Sequence, residues 1–210
     1  RRHFPAVSSA STLRIYSDSS REDVDSMVIE ELEDDTIEEA SYLFEPSDLD
    51  DQEEKETSGL GAWTVVHGIF FYIHDVWSVD ELKAFSINVT ELATEVIALL
   101  TFADLHSSAT HVLSMVDNTS AEFVSERGRP GKDSLGMHFI NKERQQHLTS
   151  RGLHQKTSRV TSKDNDIADL LSRGRIKAAL RIVREAGLVT IRVPIPKEYR
   201  DLTNVPRTWA

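Results

Sequence analysis

Four acidic residues of this 210-residue chain fall where its hydrophobic pattern places the ends or faces of elements. Asp18 closes an alternating strand. Glu91 opens a long amphipathic helix, Asp117 follows the next strand, and Asp169 lies inside a later helix. Acids at neighbouring strand ends and helix faces can converge over one edge of a sheet. Carboxylates crowded into a poorly solvated place repel one another. Hard divalent cations relieve that repulsion, and Mg²⁺ suits oxygen ligands while keeping waters for a phosphate substrate. Two such ions about 3.5–4 Å apart can activate a water and stabilise the leaving oxygen of a phosphodiester. With 35 Asp and Glu in the chain, spacing alone does not single these four out. Each taken alone reads first as a solvated surface acid.

The elements that must position them come from the apolar periods. Residues 12–17 alternate as a half-buried strand, and 62–73 read as one or two strands bending near Gly68. A third strand is expected at 84–89. The period then changes, and Leu92, Val96, Leu99, Leu100 and Ala103 mark a helix. Residues 110–116 read as a buried strand, 118–127 as a short helix, 134–150 as a helix stopped by Gly152, and 153–161 as a strand. Asp164 or Asn165 caps a helix through Arg173, which Gly174 ends. A helix over 175–186 and a short strand over 188–193 precede a Pro-bounded tail. The order is that of an α/β fold: an antiparallel opening, later crossovers, and a mixed sheet with helices on its faces.

Charge divides the chain unevenly. The formal net charge is −11. Residues 21–57 hold 17 acids against Arg21 and Lys55, a block of −15. The remainder sums to +4, so the acidic total does not exclude a polyanionic partner. The acidic block is expected to be disordered or transiently helical. The expected organisation is therefore 1–20 as the first strand, 21–57 as an acidic insertion, 58–174 as the rest of the domain, and 175–210 as a C-terminal helix and tail. Absence of cysteine excludes disulfides, thiolate zinc sites and cysteine nucleophiles. No apolar run reaches the roughly 18–20 residues of a spanning helix. The start at Arg1-Arg2-His3-Phe4, without Met or signal-like segment, reads as part of a longer intracellular polypeptide, cytoplasmic or nuclear.

Several strings carry a resemblance. They are Ile15-Tyr16-Ser17-Asp18-Ser19-Ser20, Gly59-Leu60-Gly61-Ala62-Trp63, Ile87-Asn88-Val89-Thr90-Glu91-Leu92, Val116-Asp117-Asn118-Thr119-Ser120-Ala121 and Asp164-Asn165-Asp166-Ile167-Ala168-Asp169-Leu170-Leu171-Ser172-Arg173-Gly174. Together with the element order they resemble the RNase H domain that follows the reverse transcriptase in retrotransposon polyproteins, nearest the DIRS-like, tyrosine-recombinase group. The resemblance covers residues 12–18 and 58–174, and the last string is its most specific part. It implies an RNase H-like mixed five-stranded sheet with flanking helices. It also implies Mg²⁺- or Mn²⁺-dependent hydrolysis of the RNA strand of an RNA–DNA hybrid, leaving a 5′-phosphate and a 3′-hydroxyl. Asp18, Glu91, Asp117 and Asp169 would be the catalytic, metal-binding acids. The reverse transcriptase domain of the same polyprotein would be a partner, with no membrane involved. In the family the first Asp and the Gly-rich strand lie close in sequence, whereas 40 residues separate Asp18 from Gly59 here. Glu54, nearer Gly59, is the alternative first ligand. Where many active members carry a loop His ahead of the Asn, this chain has Arg159. That departure and the insertion favour an alternative, a decayed or connection-type domain that binds nucleic acid or the polymerase without cutting. A third reading makes the acidic block an interaction tail for a basic partner.

Substrate contacts are expected from Asn118, Arg127, Arg129, Lys132 and Asn165, because a hybrid duplex is held through its phosphates. Residues 144–163 add a second basic stretch. The eight His show no recognised metal-ligand spacing and read as ordinary surface or half-buried residues. Gly59-Leu60-Gly61 lacks the third glycine of a dinucleotide fingerprint and reads as a hairpin turn. Trp63, Trp77 and Phe70-Phe71-Tyr72 read as core. Asn118 beside Asp117 reads as a supporting group for that acid.

Overall fold

A computed structural model of the chain describes residues 11–21, 56–117 and 135–203. Most of the acidic segment, Glu54 included, and the stretch holding Asn118, Arg127, Arg129 and Lys132 lie outside the described residues. Strands β1 (Thr12–Ser19), β2 (Gly59–Val66) and β3 (Ile69–Val76) open the fold. Helices α1 (Val79–Ala84) and α2 (Ile87–Leu105) follow, then β4 (His111–Val116), α3 (Leu135–Arg151) and β5 (His154–Arg159). The chain continues through α4 (Asp166–Ser172), α5 (Ile176–Glu185), β6 (Val189–Arg192), α6 (Lys197–Arg200) and a 3₁₀ turn at Asp201–Thr203.

The sheet order is β5-β4-β1-β2-β3-β6. β1, β2 and β3 are antiparallel neighbours, whereas β4 runs parallel to β1, β5 to β4, and β6 to β3. The mixed α/β sheet with flanking helices is as expected, but it has six strands, not five. The sixth is the 188–193 strand: α5 buries Ala179 and Val183, crosses over, and delivers β6 to the open edge of β3. Residues 175–203 thus share the body's core, to which Tyr199 and Leu202 also contribute. Among the described residues, no helix is long and apolar enough to cross a membrane.

The bend near Gly68 is a two-residue turn. His67 and Gly68 both have positive φ, 51° and 78°, the turn whose twist matches the flanking strands. The strand expected at 84–89 does not form. Ser78 and Glu81 build a reciprocal cap that starts α1, and Ser86, extended at φ −74° and ψ 162°, is already the N-cap of α2. A short apolar run beside two helix starts carries no strand information of its own.

Strand alternation divides the core. Leu13, Ile15, Leu60, Ala62 and Ile73 face α2, which is buried along most of its length. Tyr16, Trp63, Phe70 and Tyr72 face α4 and α5, with Tyr16 stacked on Trp63 at 4.2 Å. The aromatic residues read as core are therefore buried, except half-buried Phe71.

Candidate metal and nucleic-acid site

Asp18 has the parity of Tyr16 and leaves β1 on the α4 face, one residue before the strand ends. Asp117 follows the last residue of β4, the parallel neighbour of β1. Glu91 comes from the second turn of α2, packed on the opposite face. The three meet where the parallel strands end. One carboxylate oxygen from each lies within 4.8 Å of the other two. Asp18 and Glu91 are buried, and Asp117 is half-buried.

Such a set is held against its own repulsion by the fold around it. Burial pushes the Asp18 carboxyl up to about 7, with a hydrogen bond from Ser172 opposing and the Asp117 and Asp169 charges adding to the rise. Ser172 Oγ lies 2.7 Å from Asp18 Oδ2 and 2.9 Å from the Asp169 carbonyl oxygen. A hydroxyl has one proton. It donates to an ionised Asp18; a protonated Asp18 can donate to it and turn its proton to the carbonyl.

The approach of α4 that brings Ser172 there depends on two glycines. A Cβ on Gly61, the register partner of Asp18, would lie 2.4 Å from Ser172 N and 2.7 Å from Ala168 O. A Cβ on Gly59 would lie 2.4 Å from Asp75 O and 2.8 Å from Ser172 O. The Gly59-Leu60-Gly61 motif is therefore not a turn. It is the start of β2, stripped of side chains so that a helix can rest on the strand backbone. Ser20 fastens the same corner: its Oγ accepts from Gly59 N–H at 3.0 Å and donates to Ser172 O at 2.7 Å.

Asp169 stands apart from the trio. It is near enough for its charge to act on Asp18, yet Arg173 Nε donates to its carboxylate at 2.8 Å. Asn165, expected at the substrate, is completely buried. Its side-chain amide donates to the Ser17 carbonyl at 3.0 Å, tying the start of α4 to β1 beside Asp18. That is a positioning contact, because a fully buried amide touches no duplex. Arg144 is likewise no phosphate ligand: it is 1% exposed and donates to Asn141 Oδ1 at 2.6 Å. Sequence reasoning gave no role to Ser172 or Ser20 and read Gly61 as part of a hairpin turn. Only the Ser172 triplet with Leu171 and Arg173, and the two glycines, carried any signal, and that signal was positional rather than chemical.

The donor set is all carboxylate oxygen and mostly buried, with Asp18 raised by burial and by its acidic neighbours, which fits a hard divalent cation. No family model matches the chain, and no curated protein matches it. Solved structures are similar to it at low identity. Ribonuclease H1 of the halophilic archaeon Halobacterium salinarum NRC-1 matches at 13% identity and TM-score 0.48, over 77% of this chain and 94% of that one. The N-terminal RNase H domain of rv2228c from Mycobacterium tuberculosis, solved as a fusion with maltose-binding protein, matches at 13% and 0.47, over 84% and 99%. The human cytomegalovirus terminase nuclease domain matches at 12% and 0.36, over 94% and 75%. With TM-scores below 0.5, these likenesses assign no residue roles to this chain.

Proposed function

We propose that this chain is a ribonuclease H-type endonuclease that hydrolyses the RNA strand of an RNA–DNA hybrid, as part of a retroelement reverse transcriptase polyprotein. The observation that carries the reading is the convergence of Asp18, Glu91 and Asp117 within 4.8 Å at the ends of β1 and β4. The resemblance of the surrounding strings supports the substrate class. Mg²⁺ or Mn²⁺ bound by these acids, with Asp169 completing the set, would supply an activated water and charge stabilisation at a phosphodiester. The chain's own contribution is orientation. Ser172 holds one oxygen of Asp18 and leaves the other for the cation. Gly61 lets α4 approach, and Asn165 locks α4 to β1. Asn118, Arg127, Arg129 and Lys132 are proposed to meet the duplex, and Asp18, which lies in the cluster, is preferred over Glu54 as first ligand.

The test is cleavage of a labelled hybrid by parent and Asp117→Asn, with Mg²⁺ or with EDTA. RNA-strand cleavage lost with EDTA and with the substitution is expected. Equal cleavage by parent and variant would refute the assignment. One observation favours a second reading, a domain that binds without cutting. The Asp169 carboxylate is engaged by Arg173 rather than joined to the trio. Hybrid binding by a folded parent with no cleavage under Mg²⁺ or Mn²⁺ is the outcome that reading requires.

A further inference from the structure

Far from the acids, tertiary structure builds a pair that the histidine spacing does not announce. His111 opens β4 and His154 opens β5, and the two are register partners on adjacent parallel strands. Register partners project from the same sheet face. Their imidazole centroids lie 5.3 Å apart at an interplanar angle of 32°, and both residues are exposed. His111 Nδ1 lies 2.9 Å from Thr110 Oγ1, itself 3.4 Å from the Ser11 carbonyl oxygen. When the Thr110 hydroxyl donates to Ser11, it accepts from His111 Nδ1–H, and His111 Nε2 carries the free lone pair. A supporting hydrogen bond on one ring nitrogen commonly fixes the tautomer and ring plane of a metal-ligating histidine.

We propose that His111 and His154 form a binding site for a borderline divalent transition cation, Zn²⁺ being the representative, with water in the remaining coordination positions. Neutral imidazole suits Zn²⁺, Ni²⁺ and Cu²⁺, whereas Mg²⁺ takes oxygen ligands, so the two ends of β4 select different metals. Six residues of strand between His111 and Asp117 correspond to about 20 Å, beyond the screening length of roughly 8 Å at physiological salt. The two sites are therefore independent, and this one stands whether or not the chain is a nuclease. Lys156 on β5 and Arg14 on β1 flank Leu113 of β4, two residues along the same sheet face, and like charges there act against a cation. With two protein ligands in place of the four of a structural zinc centre, the site binds more weakly than such a centre.

The experiment is a calorimetric titration of the full chain with ZnCl₂ in excess MgCl₂ near neutral pH, comparing the parent with His111→Ala, His154→Ala and His147→Ala. Ring-proton NMR of His111 and His154 in the parent localises the ion without relying on variants. The expected result is one saturable Zn²⁺ site, weakened by roughly tenfold or more in His111→Ala and in His154→Ala and unchanged in His147→Ala. Parental affinity in both His111→Ala and His154→Ala would overturn the proposal. So would ring resonances that do not respond to Zn²⁺, or loss of the site in Asp18→Asn instead. Thermal unfolding in EDTA establishes that each variant is folded.

Discussion

Replacing Asp18 by Asn removes a charge that the folded protein holds at a cost when no cation is bound. The ordinary carboxyl value of 3.8 is pushed to about 7 by burial, with Ser172 opposing and Asp117 and Asp169 contributing. The folded state therefore keeps its proton where the unfolded chain has released it. Between 3.8 and about 7 the native state binds more protons, so stability falls as pH rises and levels off above 7. At about 1.4 kcal/mol per pH decade, the span corresponds to a ceiling of about 4 kcal/mol. Asn is nearly isosteric with the protonated acid and still accepts from Ser172 Oγ. Allowing half the ceiling for solvent relaxation, Asp18→Asn should be more stable than the parent by about 2 kcal/mol at pH 8 in EDTA. For a chain of this size that is a rise in Tm of roughly 4–8 °C. At pH 4 the gain should nearly vanish, because Asp18 is then protonated in the native state. Added Mg²⁺ should raise the parent's Tm and leave the variant's almost unmoved. Scanning calorimetry at the two pH values, with EDTA and with Mg²⁺, measures all of this. A variant no more stable than the parent at pH 8, or a gain of equal size at pH 4, would refute the electrostatic reasoning.

The rest of the framework yields further expectations. Gly61→Ala should destabilise the protein by about 2–3 kcal/mol, since its Cβ would meet Ser172 N at 2.4 Å and Leu171 Cβ at 2.6 Å; a denaturant midpoint near the parent's would contradict this packing. Burial pushes the Glu81 carboxyl up, but hydrogen bonds from Arg200, Thr203 and Ser78 and the Arg200 charge hold it at about 2. Its contribution, at most about 3 kcal/mol by the same conversion, is present above pH 4.5 and lost as pH falls toward 2, so Glu81→Gln should flatten the acid limb of a Tm–pH profile. Arg173→Ala breaks an ion pair more than 40% exposed on both partners, so it should change stability by less than about 1 kcal/mol. By freeing Asp169 it should lower the Mg²⁺ concentration needed to stabilise the parent fold, read as a leftward shift of the Mg²⁺-dependent Tm curve.

The strands and helices that carry the acids were legible because their apolar residues recur at strand or helix spacing. β1 alternates through Ile15 and Tyr16 to Asp18, and α2 repeats Leu92, Val96, Leu99 and Leu100 every three or four residues. The strand expected at 84–89 failed where the decisive information was a pair of helix caps, Ser78 with Glu81 and then Ser86. The sixth strand was recognised as a strand, but its place beside β3 was not, because parallel pairing after a crossover leaves no local mark.

The chain's own order of residues therefore determined its α/β class, the separation of a −15 acidic block from a mildly basic body, and the positions of Asp18, Glu91, Asp117 and Asp169 on their elements. Those properties depend on composition and period, which are local. Tertiary structure decided which acids meet. It joined Asp18, Glu91 and Asp117 and left Asp169 with Arg173. It turned Asn165 and Arg144 inward, gave Gly59 and Gly61 their purpose against α4, and set His111 beside His154 across 43 residues of chain. Each of these outcomes depends on strand register and helix approach, where a one-residue slip would send every side chain to the other face of the sheet.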